Sequence, residues 1–324
     1  MGTSLPIPRR RDGPSQRADR AEESFRAVLV ECLEERAERP FRTAQVGFSA
    51  AGETGIPPSR MPSMPPRDAP PPSSGQGSRG ARKSLVDSCS RLIRHLEKSD
   101  SVLLLTTSTR YRGEAWDVPK STQLARRVRE HLKEKKRRVT LLDVPALRIH
   151  TCEGNVSSGK GNRCGLLEAK LPDRSKNPTG HHRCWASINN DDDELYVVSR
   201  ELFRSRAVVF FVSVRWGQTN SVYQRLWERL TWIENRITTL GEEPIPQLKG
   251  LEAGIVVFGQ NWNDAQVLKT QRQNYEWFGW KTPEALSFYW QYTRDSDDES
   301  PESYLGAIEE FQALLRAEFR RDRD

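Results

Sequence analysis

A three-layer α/β/α sandwich around a five-stranded parallel sheet is the fold this sequence predicts, on three observations. Short apolar runs alternate along the chain with longer amphipathic stretches, the rhythm of a sheet covered by helices. The runs at 102–107 (VLLLTT), 138–142 (RVTLL), 207–212 (AVVFFV) and 253–259 (AGIVVFG) are nearly continuous, as strands buried on both faces require. All nine tryptophans follow residue 115, whereas 12 of the 20 prolines and no lysine fall within residues 1–82. The packed domain is therefore expected at 83–324.

Residues 1–82 read as a largely disordered Pro/Gly/Arg-rich extension, too rich in proline to join a core. Within it, Phe25, Val28, Leu29, Val30 and Leu33 fall on a helical period over 22–39. A helix at 83–98 opens the domain, with Leu85, Leu92, Ile93 and Leu96 on one face. The strands are then separated by helices at 121–135, 192–206, 220–237 and 265–279. A fifth run, 285–292 (ALSFYWQY), is aromatic and alternating and suits a sheet edge. The acidic DSDDESPES, with Pro301, marks the start of a last helix at 303–320. Only 143–191 breaks the rhythm, as a long connection.

Composition excludes several classes. No run of 18 apolar residues exists, so no membrane-spanning helix is expected. The amino-terminal MGTSLPIPRRRDGPSQ lacks the apolar core of a secretory signal. Five cysteines are too few and too scattered for a disulfide framework, and a cytoplasmic location is the expectation. The net charge of +7 invites a nucleic-acid reading. Its densest run, Lys133 to Arg138, closes a predicted helix, where cations meet the helix dipole favourably. No helix-turn-helix pattern, zinc-finger spacing or RNA-binding signature accompanies it, so nucleic acid is not an expected partner.

In open α/β sheets, ligands bind beyond the carboxyl ends of the strands. After the first strand the chain reads Thr107-Ser108-Thr109-Arg110, then an insertion, then Lys120-Ser121-Thr122 at a helix start. Hydroxyls, cations and unsatisfied helix amides together make an anion site suited to phosphate. An ordinary helix cap beside a surface arginine would use the same residue types. The pattern is neither the dinucleotide fingerprint nor the phosphate loop of nucleotide hydrolases. The third strand runs into Ser213-Val214-Arg215-Trp216-Gly217, and the fourth ends at Gly259-Gln260-Asn261-Trp262. A glycine and a tryptophan at each end can offer backbone groups and flat apolar faces to a planar heterocycle, or the tryptophan can plug the sheet against the next helix.

These motifs, in this order, resemble the flavodoxin-like NAD(P)H-dependent FMN reductase family from about residue 100 to 320. Ser108, Arg110, Ser121 and Thr122 match a loop that holds the FMN phosphate in that family, and Lys120 stands within it. Ser213 through Gly217 match a P-x-Y-W-G-type loop, with Ser213 in place of its proline and Arg215 in place of its tyrosine. Leu226-Trp227-Glu228-Arg229-Leu230 matches the string that ends the following helix. Leu248-Lys249-Gly250, Ala253, Val256 and Gly259 match the stretch before the last binding loop, to which Gln260 and Asn261 belong. The resemblance implies strand order 2-1-3-4-5, FMN as cofactor and NAD(P)H as reductant. It also implies a small-molecule electron acceptor and a homodimer using the helix at 220–237. Catalysis of this kind asks the protein for stacking and orientation more than for an acid–base pair, and no such pair stands out. The alternative is an electron carrier or partner-binding module of the same fold.

The long connection holds His150, Cys152, Cys164, His181, His182 and Cys184. Some similar reductases carry four cysteines here around an iron–sulfur centre, which needs four thiolates; this chain has three. Zinc accepts a shell of three cysteines and one histidine, but the short C-x2-4-C pair of structural zinc sites is missing. No metal ligand is assigned, and the segment is read as a loop covering the flavin edge.

Overall fold

The computed structural model describes residues 77–109, 118–259, 262–292 and 300–319. The helical stretch expected at 22–39 lies outside them. Six strands form the sheet: β1 (Ser101–Thr106), β2 (Arg138–Asp143), β3 (Ala207–Arg215), β4 (Gln218–Thr219), β5 (Glu252–Gly259) and β6 (Phe288–Gln291). The order β2-β1-β3-β5-β6 is parallel throughout, and the two-residue β4 pairs antiparallel with the end of β3. The five parallel strands thus have the flavodoxin-like order 2-1-3-4-5.

The helices are α1 (Gly77–Leu96), α2 (Lys120–Glu134), α3 (Trp185–Asn189), α4 (Leu195–Leu202), α5 (Ser221–Thr238), α6 (Asp264–Trp277) and α7 (Pro301–Phe319). Alternation along the strands sorts the core into two layers. Leu103 and Leu105 of β1, Phe210 and Val212 of β3, and Ile255 and Val257 of β5 face α4, α5 and α6. Leu104, Val209, Phe211 and Val256 point the other way, against α1, α2 and α7. Both faces are dry, which is why the strands read as unbroken apolar runs.

Some elements differ from the sequence expectation. The helix expected at 192–206 is only Leu195–Leu202: Asp192 and Asp193 are drawn into side-chain bonds, and the chain turns out at Phe203–Ser205 before β3. The edge strand starts at Phe288, because residues 284–286 form a 3-10 turn. Neither β4 nor the short α3 was expected; each is too brief to impose a period. On α5 the apolar side chains Tyr223, Leu226, Leu230, Trp232 and Ile233 are all buried within the chain. None of the helices described is long and apolar enough to cross a membrane.

The connection between β2 and β3 is held by a buried ion pair. Arg229 on α5 bonds both oxygens of Asp193, at 2.8 and 2.9 Å, and neither side chain is exposed. Ser187 gives its one proton to Asp193 (2.7 Å) and accepts from Arg229 (2.9 Å). His182 Nε2, 2.9 Å from Ser187 Oγ, must therefore be the protonated nitrogen, and Nδ1 accepts from the Ser199 hydroxyl at 2.9 Å. Burial holds this imidazole neutral, with its pKa lowered to about 3.

Candidate functional site

The carboxyl ends of β1 and β3 lie side by side, yet the chain leaves them in opposite directions. From β1 it passes to α2 on one face, and from β3 to α5 on the other. Such a switch point opens a crevice at the strand ends. Here the crevice is a small cleft of about 50 Å³ walled by Ser108, Thr109, Pro119, Lys120, Ser121, Ser213, Val214, Arg215, Phe258 and Tyr292.

Six of the thirteen residues expected from the sequence stand on this wall: Ser108, Lys120, Ser121, Ser213, Val214 and Arg215. Thr122 is buried just behind it, and its hydroxyl has no hydrogen-bond partner among the described residues. Trp216 and Gly217 form the tip of the β3–β4 hairpin rather than the wall, and Gly259 ends β5 beside wall residue Phe258. Arg110, Gln260 and Asn261 lie outside the described residues.

The basic end of the cleft is built at the start of α2. Pro119 occupies the N-cap and offers the first turn no side-chain acceptor of its own. Ser121 and Ser108 are both buried, with their hydroxyls 2.8 Å apart. Lys120 extends its ammonium over the Tyr292 ring, 4.8 Å from the centroid. No carboxylate stands on the described wall. The donor set therefore favours an anion.

Two devices fix the other end. Asn220 caps α5 through Tyr223 N (3.0 Å), while its amide donates to the Thr107 hydroxyl (3.0 Å) and reaches Ser213 Oγ at 3.2 Å. The ends of β1 and β3 are thereby tied together. Beyond them, Trp216 (φ 50°) and Gly217 (φ 68°) make a two-residue turn with both residues left-handed. Trp262 packs on Gly217, where a Cβ would lie 2.7 Å from the indole ring. Asn263 donates to the Gly217 carbonyl from the same side. Trp216 itself is 92% exposed.

Asp264 was not anticipated. It opens α6 with a fully buried carboxyl group pressed against Gly259, where a Cβ would meet Oδ1 at 1.9 Å. Neither oxygen has a well-directed partner among the described residues. Burial pushes its pKa up to about 7, with only the Gly259 N–H pulling the other way. In the sequence it reads as an acidic residue at a helix start, and nothing there signals that it is buried. Asn220, Phe258 and Tyr292 were likewise placed by the fold, although a position at the carboxyl end of a buried strand was a usable signal for Phe258.

The fold and cleft define an α/β protein of flavodoxin-like strand order, with a cleft lined by hydroxyls and an ammonium group at its switch point. No family model matches the chain, and no curated protein matches its sequence. Among solved structures it is similar to RosB with bound 8-demethyl-8-formylriboflavin-5'-phosphate, at 13% identity and a TM-score of 0.45, over 68% of this chain and 76% of that one. It is also similar to azoreductase AzrA at 11% identity (TM-score 0.39, 68% and 99% covered). A third is NAD(P)H:quinone oxidoreductase from Methanothermobacter marburgensis, at 10% identity (TM-score 0.40, 68% and 99%).

Proposed function

We propose that the protein is an FMN-binding oxidoreductase that passes reducing equivalents from NAD(P)H through FMN to a small-molecule acceptor. The observation that carries this reading is the cleft at the β1/β3 switch point, where hydroxyls, an ammonium group and the start of α2 converge with no carboxylate on the described wall. That donor set fits a phosphate monoester. The unpartnered Thr122 hydroxyl beside it supplies a further donor. Phe258, Tyr292 and Val214 give the same cleft apolar surface for a planar ring.

In this reading Ser108, Lys120, Ser121 and Thr122 hold the phosphate, and Ser213 to Gly217 border the ring. FMN, when bound, supplies the two-electron chemistry between nicotinamide and acceptor. The chain's own residues bind and orient. Lys120 and the first amides of α2 offset the phosphate charge. The Asn220 tie fixes the spacing between the phosphate loop and the β3 loop. Arg215, exposed on the cleft wall, is placed to meet the anionic part of the reductant.

The test is the visible spectrum of purified protein loaded with FMN and mixed anaerobically with NADH or NADPH. Yellow protein that bleaches with either nucleotide supports the enzyme; colourless protein that takes up no FMN sinks the reading. The exposed Trp216 beside the cleft favours a second reading, an electron carrier that docks a protein partner. It predicts a yellow protein that neither nucleotide bleaches.

A further inference from the structure

The connection between β2 and β3 brings together thiols that the flavin reading does not use. Trp185 Nε1 donates to the Arg163 carbonyl at 2.8 Å, and the Arg183 guanidinium to the Gly165 carbonyl at 3.3 Å. The residues on either side of Cys184 are thus bonded to the residues on either side of Cys164, which brings the two cysteine-bearing segments side by side. Both pack on the core layer beneath α5. Cys152 lies near enough for its charge, like that of Cys184, to act on Cys164. All three are free thiols of intermediate exposure.

Their surroundings differ. Arg229 Nε donates to Cys184 Sγ at 3.3 Å. The rest of that guanidinium is fixed by Asp193, Ser187 and the His150 carbonyl, so the N–H stays aimed at the sulfur. An N–H held on a sulfur stabilises the charge that moves through that atom as it reacts. Cys164 has no such cation; burial and the two neighbouring cysteines push its pKa up to about 12, so it stays a thiol. Among the described residues no group of three or more His, Cys, Asp or Glu is arranged to hold a metal ion.

We propose that Cys184 and Cys164 are an oxidisable pair that reacts with a hydroperoxide. The Cys184 sulfur attacks one peroxide oxygen: an S–O bond forms, the O–O bond breaks, and the departing hydroxide takes the Cys184 thiol proton to become water. Sulfur is oxidised by two electrons and the peroxide is reduced. The Cys164 thiol then attacks the sulfenic sulfur; an S–S bond forms, the S–O bond breaks, and the leaving hydroxide departs as water with the Cys164 proton. Two thiols and one hydrogen peroxide become one disulfide and two waters. This proposal is independent of the flavin reading.

Hydrogen peroxide treatment of the full chain, followed by non-reducing digestion and mass spectrometry, tests it. The expected product is a Cys164–Cys184 linked peptide, two hydrogens lighter than the separate thiols, that dithiothreitol restores. Cys164→Ser should stop at a sulfenic acid on Cys184 that dimedone captures, and Cys184→Ser should give neither disulfide nor capture. In case a variant fails to fold, brief iodoacetamide labelling of the wild type at neutral pH gives an independent readout, with Cys184 expected to react ~10-fold faster than Cys164. A disulfide that pairs Cys152 with either residue, no linkage at all, or faster labelling of Cys164 would overturn the proposal.

Discussion

The Asn220 amide donates to the Thr107 hydroxyl at 3.0 Å, across 113 residues of chain, and so joins the two loops that border the cleft. The same side chain caps α5. Asn220→Ala should therefore lose a cap, about 1 kcal/mol, and leave the buried Thr107 hydroxyl one partner short. Urea unfolding should show about 1–3 kcal/mol less stability. FMN affinity should fall as well, although Asn220 is not on the cleft wall.

The proposed phosphate end of the cleft can be tested with one ligand pair. Lys120→Ala should weaken FMN binding by about 10-fold or more, the size of a charge-assisted contact. It should leave riboflavin, which lacks the phosphate, nearly unaffected. Ser121→Glu should be more severe, because it places a carboxylate where the described wall has none. Fluorescence titration with both flavins measures this; equal losses for the two would place the phosphate elsewhere.

Asp264 makes stability depend on pH in an unusual direction. Its native pKa, about 7, lies above the unfolded value of 3.8, so the native state holds a proton that the unfolded chain has already released. The wild type should lose stability relative to Asp264→Asn as pH rises from about 4 to 7, by at most about 1.4 kcal/mol per pH unit, with no further change above. Denaturation midpoints of both proteins at several pH values give the difference directly. A flat difference would mean that the carboxyl group finds a partner.

His182 acts in the opposite sense. Its native pKa of about 3 lies below the ordinary 6.5, so the unfolded chain takes up a proton that the native state refuses. Its contribution is complete above pH 6.5 and is lost as pH falls toward 3. His182→Gln should be less stable at neutral pH, yet lose less stability between pH 7 and 4 than the wild type. Thermal melts across that range would show the two profiles converging.

Gly217 is held by two constraints at once. Its φ of 68° is costly for any side chain, and a Cβ would collide with the Trp262 ring. Gly217→Ala should displace Trp262, which is half-exposed, and loosen the hairpin tip. Tryptophan fluorescence should shift, and ring-dependent flavin affinity should fall more than global stability does.

The sequence by itself determined the layers of this protein. Runs such as VLLLTT and AVVFFV are apolar on both faces, and only the interior of a parallel sheet between helices satisfies them. It also determined that hydroxyls and a lysine stand at the start of α2, because the position after a buried first strand carries that meaning whatever the loop does next. It could not show that Asp264 is sealed behind Gly259, since an acidic residue at a helix start looks the same exposed or buried. Nor could it show that Trp232 on α5 would be covered by His182 of the 143–191 connection, or that the segments around Cys164 and Cys184, 20 residues apart, would be bonded side by side near Arg229. Those outcomes depend on contacts between segments distant in sequence, where burial and pairing are decided jointly by every neighbour, and only the tertiary structure fixes who the neighbours are.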